Sequence, residues 1–169
     1  RATRNLRHSC IAEVQDSGIT SDGAPFLVSR YYPGETLGAA INLVHAGEHP
    51  SMGVVDLVRL VLPLAEAVAY SHGRGAIHCD IKPTNVVLVD EGRSLVLIDW
   101  GMARLIGGKT GHAYVRGGSL QSMSPEQARG VEMLDGRGDV YALGAVLFTV
   151  MSGRGPWVGG RDEVLAMLR

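Results

Sequence analysis

The stretch that most restricts how this chain can fold is residues 78–85, reading His-Cys-Asp-Ile-Lys-Pro-Thr-Asn between two apolar runs. It sets a carboxylate at Asp80, an amine at Lys82 and a carboxamide at Asn85 within six consecutive residues, a spacing that suits a loop whose side chains converge on one ligand. An ammonium beside a carboxylate and an amide supplies a point charge for phosphate oxygens and hard oxygen donors for a divalent cation. Val86, Val87, Leu88 and Val89 follow, then a turn at Asp90, Glu91, Gly92 and Arg93, then Leu95, Val96, Leu97 and Ile98 leading to Asp99-Trp100-Gly101. This pattern predicts a short hairpin that carries a second carboxylate, Asp99, to the same place.

His78-x-Asp80-x-Lys82-x-x-Asn85 followed by Asp99-x-Gly101 resembles the catalytic loop and metal-binding motif of the protein kinase family. Ser124-Pro125-Glu126 is similar to the family's Ala-Pro-Glu motif, and Asp139-x-Tyr141-x-x-Gly144 to the Asp-x-Trp-x-x-Gly opening of its central helix. The matches stand in the family's order, and the resemblance runs from about Asn5 to the C-terminus. It implies an α+β, protein-kinase-like fold in two parts. Residues 1–32 would be the last strands and hinge of a truncated N-lobe, and residues 33–169 a mainly helical C-lobe, incomplete at its C-terminus. The implied activity is that of a serine/threonine protein kinase, which moves the γ-phosphate of ATP, with Mg2+, to Ser and Thr hydroxyls of protein substrates.

Phosphoryl transfer is mostly positioning and charge neutralisation, and the resemblance assigns those tasks residue by residue. Asp80 stands at the catalytic base and Lys82 at the γ-phosphate contact, while Asn85 and Asp99 stand at the magnesium ligands. Lys82 and Ser119 resemble the serine/threonine branch. Tyr31-Tyr32-Pro33-Gly34 falls at the hinge, where backbone groups of Arg30 and Tyr32 would meet adenine, with Ser29 at the back of the nucleotide pocket. The glycine-rich stretch between Asp99 and Glu126 would be the activation segment, with Gly118-Ser119 similar to the family's Gly-Thr. Its hydroxyls at Thr110, Tyr114, Ser119 and Ser122 are common in any flexible loop, so none is singled out for phosphorylation. His78 reads as a structural histidine, and Trp100 as a packing residue where the family usually has Phe. Asp139 reads as a helix N-cap, to which the family pattern adds a bond to the catalytic-loop backbone.

Three departures stand out. The glycine-rich phosphate loop, the lysine that grips the α/β-phosphates and its glutamate partner are absent. A basic partner for Glu126 would lie beyond Arg169. Cys79 replaces the arginine usual after the catalytic histidine. Arg1 is not an initiator, and the chain reads as an interior fragment that alone binds ATP weakly and turns over negligibly.

Composition narrows the alternatives. Sixteen basic against seventeen acidic residues give a net charge of −1, which argues against a nucleic-acid or anionic-membrane partner. Hydrophobic residues at 46% suffice for one real core. Cys10 and Cys79 lack paired-ligand spacing, which fits a reducing, cytoplasmic setting for this region. No signal peptide is visible, and the longest uncharged apolar stretch, 140–153, falls short of the roughly 20 residues a membrane span needs.

Elsewhere, Ile11, Ala12, Glu13 and Val14, and Phe26, Leu27 and Val28, read as an antiparallel strand pair. Helices are expected at 36–43, 52–72, 139–151 and 162–168. In the second, Asp56, Arg59, Pro63 and Glu66 share one polar face, and Val54, Val55, Leu57, Val58, Leu60, Val61, Leu64 and Val68 would bury the rest. Two other functions compete. A small-molecule phosphotransferase of the aminoglycoside or choline kinase type shares the His-x-Asp loop and often Ile-Asp-Trp, matched here by Ile98-Asp99-Trp100, but Lys82, Gly101 and the later motifs are not expected there. A pseudokinase scaffold is opposed by the intact Asp80, Asn85 and Asp99.

Overall fold

The computed structural model describes residues 6–105, 120–130 and 135–168, with the backbone alone at Arg104 and Leu105. It begins with an antiparallel ribbon, β1 (Val14–Ile19) against β2 (Pro25–Ser29), with a bulge between Val14 and Asp16. The apolar run at residues 11–14 supplies only the start of β1. Ile11 instead bridges Leu97 in parallel, the Ala12 amide donates to Leu97 O at 2.9 Å, and the Leu97 amide donates to Cys10 O at 2.8 Å. The physical reason is burial. Ile11 and Ala12 are 3% and 2% exposed in the main core, whereas the ribbon leaves Ile19, Phe26 and Val28 largely open.

After the ribbon the chain passes tightly over the later hairpin at Gly34. Its φ is +154°, and a Cβ there would run into the Leu88 carbonyl, so only glycine fits. The Leu88 amide then donates to Glu35 O at 2.8 Å. Thr36 caps α1 (Leu37–Ala46), accepting from the Ala39 amide, and Gly47 ends the helix in the left-handed conformation. The helix therefore runs one turn beyond the 36–43 expected from sequence.

Helix α2 (Val54–His72) starts at Gly53, whose amide donates to the Asp56 carboxylate at 2.9 Å. It continues through Pro63, and Arg59, whose carbonyl loses its partner there, lies on the wet side. Its buried residues are Leu57, Leu60, Leu64, Ala67, Val68 and Ser71, a three-four stripe narrower than the sequence suggests. Val55 is 63% exposed, because the elements packed against α2 cover only one side of it.

From α2 the chain runs through β3 (Ala76–Ile77) and the polar loop into a hairpin, β4 (Val86–Val89) with β5 (Ser94–Leu97). The valine and leucine side chains bury on both faces of this hairpin, which the continuous apolar runs foretell. Strand β6 (Arg104–Leu105) pairs β3 antiparallel. Three helices follow: α3 (Pro125–Ala128), α4 (Arg137–Ser152) and α5 (Arg161–Leu168). One core joins α1, α2, the hairpin and α4 through Leu37, Ile41, Leu57, Leu64, Leu95 and Val146. No helix among the described residues is long and apolar enough to cross a membrane.

Candidate active site

The loop between β3 and β4 carries the site, and three elements hold it. Asp139, in the first turn of α4, is 2% exposed and accepts the His78 amide on Oδ2 and the Cys79 amide on Oδ1, each at 2.8 Å. Its N-cap role is corrected. Gly136 occupies the cap position, and the Asp139 side chain points to the loop rather than back to its own helix. His72, the last residue of α2, adds a third contact, Nε2 to Asp139 Oδ2 at 2.8 Å.

His78 is fully buried, and its bonds define its state. The ring Nδ1 accepts the Asp80 amide at 3.3 Å, so Nε2 carries the hydrogen and donates to Ile98 O at 3.0 Å. Burial pushes its pKa below the ordinary histidine value, against the pull of the Asp139 carboxylate. Trp100 packs edge-on against it at 4.6 Å and donates Nε1 to Leu97 O at 3.1 Å. Both residues are structural, as their apolar setting implies.

Cys79 has φ +67°, a left-handed conformation that costs a non-glycine residue about 1–2 kcal/mol. That twist turns the chain so that Asp80 follows directly. Lys82 Nζ lies 2.6 Å from Asp80 Oδ2, and the Asn85 amide nitrogen donates to Asp80 O at 2.9 Å and to Asp80 Oδ2 at 3.1 Å. The carboxylate, ammonium and amide thus meet, as the spacing predicts. Because Asn85 spends its nitrogen on Asp80, its Oδ1 has no protein donor among the described residues and is the atom left for a hard cation.

Asp99 follows two residues after the end of β5. The Ile98 amide donates to Asn85 O at 2.8 Å, so Asp99 stands one residue past a direct backbone tie to Asn85. Its carboxylate is exposed, with φ +59°, and its recorded contact is with the Gly101 amide at 3.4 Å. Among the described residues no cluster of three or more His, Cys, Asp or Glu side chains forms a self-contained metal site. The Asp99 carboxylate and Asn85 Oδ1 are hard oxygen donors of the kind that would hold a magnesium ion.

Arg30 and Tyr32, expected at a hinge, follow the end of β2. The Arg30 amide donates to Glu13 O at 2.9 Å, and its guanidinium lies 5.4 Å from the centre of the Tyr32 ring. Tyr32 is half-buried and its hydroxyl accepts the Glu13 amide at 3.1 Å. Ser29 is exposed. Thr110, Tyr114, Arg116 and the Gly118-Ser119 pair lie outside the described residues. Ser122 is 5% exposed, so its hydroxyl is not presented to solvent. Glu126 is exposed and has no ion pair among the described residues.

Sequence reasoning passed over two contributors. His72 gave no signal in the sequence beyond closing a helix. Gln127 had one, because Ser124-x-x-Gln127 is a capping-box pattern, and both cap bonds form.

The architecture is a mainly helical lobe with a polar loop hung between α2 and the β4–β5 hairpin. Comparison with known families identifies it: the description "Protein kinase domain" matches residues 1–168, and the chain belongs to that family. It is 34% identical over 160 residues to the serine/threonine-protein kinase PknB of Mycobacterium leprae, covering 91% of this chain and 24% of that protein. It is 35% identical over 173 residues to a protein of Streptomyces coelicolor named "Probable serine/threonine-protein kinase SCO3848", covering 98% and 24%. PknB of Mycobacterium tuberculosis H37Rv is 35% identical over 160 residues, covering 91% and 24%. The chain spans about a quarter of the length of these curated relatives.

Proposed function

We propose that the protein carrying this chain is a serine/threonine protein kinase, acting in the cytoplasm on protein hydroxyls with ATP and Mg2+. Residues 33–169 are its C-lobe and residues 1–32 the end of its N-lobe. The observation that carries this reading is the convergence of Lys82 Nζ and Asn85 Nδ2 on one buried carboxylate, Asp80, within 2.6 and 3.1 Å. Asp80 orients the acceptor hydroxyl and takes its proton, with Lys82 close enough to meet the phosphate that the hydroxyl attacks. Asn85 and Asp99 hold the magnesium. When bound, MgATP supplies the phosphoryl group and neutralises charge on its oxygens.

For adenine, the hinge reading draws support from hydrogen bonding. Arg30 uses its amide on Glu13, which leaves its carbonyl for adenine, and the Tyr32 amide has no protein acceptor among the described residues. A planar base with one donor and one acceptor edge answers that pair.

The test is to incubate the full-length protein with Mg2+, radiolabelled ATP and a protein acceptor, then hydrolyse the product to its amino acids. Label in phosphoserine or phosphothreonine is expected. Label confined to small alcohols, or no transfer, would contradict the proposal.

A further inference from the structure

The loop that carries Asp80 is held on its other side by a residue outside the catalytic motifs, Gln127 of the capping box. Gln127 lies in α3, is 9% exposed, and donates Nε2 to Cys79 O at 2.7 Å across 48 residues of sequence. Its Oε1 accepts the Ser124 amide at 3.0 Å, while its own amide donates to Ser124 Oγ at 3.3 Å. The side-chain amide is therefore used at both ends: oxygen toward an N–H, nitrogen toward a carbonyl. These partners fix its orientation.

With Asp139 holding the Cys79 N–H at 2.8 Å, the Cys79 residue is gripped at its amide and at its carbonyl. This is the same residue whose φ is +67°. A left-handed non-glycine residue persists when its surroundings over-determine it, and here two buried side chains from two different helices do so. The carbonyl that Gln127 holds belongs to the peptide leading into Asp80, so its orientation sets where the Asp80 carboxylate points.

We propose that Gln127 is a positioning residue for Asp80: it locks the left-handed Cys79 and couples α3, beside residues 120–124, to the catalytic loop. This rests on the kinase reading above. A helix-capping role alone makes a different prediction, because glutamate serves a capping box as well as glutamine does. Gln127→Glu keeps the acceptor for the Ser124 amide but turns a carboxylate oxygen toward the Cys79 carbonyl, where a donor is required.

The experiment uses the full-length protein and three variants, with steady-state kinetics on a protein substrate and hydrogen exchange at the Cys79 and Asp80 amides. Gln127→Glu should lower kcat at least tenfold, leave KM for MgATP within threefold, and speed exchange at those amides. Ser124→Ala, which weakens the cap but not the grip on Cys79, should lower thermal stability while keeping kcat within about twofold. Cys79→Gly placed in the Gln127→Glu background should recover at least threefold in kcat, since glycine holds a positive φ without a clamp. Should Gln127→Glu not fold, Gln127→Asn, one methylene too short to span to Cys79, takes its place with the same expectations. Unchanged kcat in the Gln127 variant, an equal loss in Ser124→Ala, or no recovery with Cys79→Gly would each overturn the proposal. Exchange is read without turnover, so an inactive wild type would sink the kinase reading while the grip on Cys79 still stands or falls by the exchange rates.

Discussion

Cys79 gives its amide hydrogen to Asp139 Oδ1 at 2.8 Å, although 60 residues separate the two in sequence. The same carboxylate takes the His78 amide and His72, so one buried anion joins α2, α4 and the catalytic loop. Asparagine offers one acceptor oxygen where the carboxylate offers two, and its NH2 would face an amide N–H. Asp139→Asn should therefore lose about 2–4 kcal/mol of stability, the sum of a broken charge-assisted bond and a buried donor left unmet. Urea unfolding of the variant should show a lower midpoint at unchanged slope. An unaltered midpoint would mean the carboxylate is not the hub its bonds describe.

A second prediction concerns protonation. The pKa of His78 is lowered, chiefly by burial, so between its folded value and about 6.5 the unfolded chain binds more protons. This group's contribution is then complete above about pH 6.5 and is lost as pH falls below it, at no more than about 1.4 kcal/mol per pH unit. Nitrogen chemical shifts of the His78 ring at pH 6.5 should report a mostly neutral Nε2–H tautomer. A ring half protonated or more at that pH contradicts the buried, twice-bonded geometry.

Asp99 is proposed above as a magnesium ligand. Its carboxylate is exposed, and asparagine tolerates the left-handed backbone found there. Asp99→Asn should leave the melting temperature almost unchanged while phosphoryl transfer falls by about 10²-fold or more, as loss of several kcal/mol of metal-borne charge stabilisation requires. A large drop in melting temperature would make Asp99 a fold residue instead.

Cys79 bears on regulation. An arginine at this position can hold a phosphorylated activation-segment residue through a bidentate pair, and a buried thiol cannot. Phosphatase treatment of the active full-length protein should cost less than tenfold in rate. A larger loss would mean that another cation, Arg104 or Arg116, holds a phosphate, and substituting those two residues would then remove the dependence.

The site was legible in sequence to the extent that its chemistry is local. Asp80, Lys82 and Asn85 lie within six residues, so spacing alone brings these three together, and the continuous apolar runs before Asp99 form the hairpin they read as. The family motifs added Asp139, whose backbone contact was expected though its place past the cap was not. What escaped was long-range and made by ordinary residues. Nothing near His72 or Gln127 announces that one will meet Asp139 and the other Cys79, because their partners are set by how α2, α3 and α4 pack. The ribbon start was misplaced for a related reason. Ile11, Ala12, Glu13 and Val14 read as a strand, yet burial of Ile11 and Ala12 beside Leu97 wins over pairing with β2. Helix α2 was read as too broadly buried because composition counts valines, whereas packing selects one stripe of them.

The central claim is that Asp80 is the group on which phosphoryl transfer turns, and replacing its carboxylate alone tests it most directly. Asp80→Asn keeps the size of a side chain whose residue is 7% exposed but removes the proton acceptor that Lys82 and Asn85 contact. Measured as kcat on a fixed protein substrate with saturating Mg2+ and ATP, the full-length variant should fall by about 10²–10⁴-fold, the usual cost of losing a general base. A variant within about threefold of wild type, well under the ~1.4 kcal/mol that a tenfold change represents, would contradict the account.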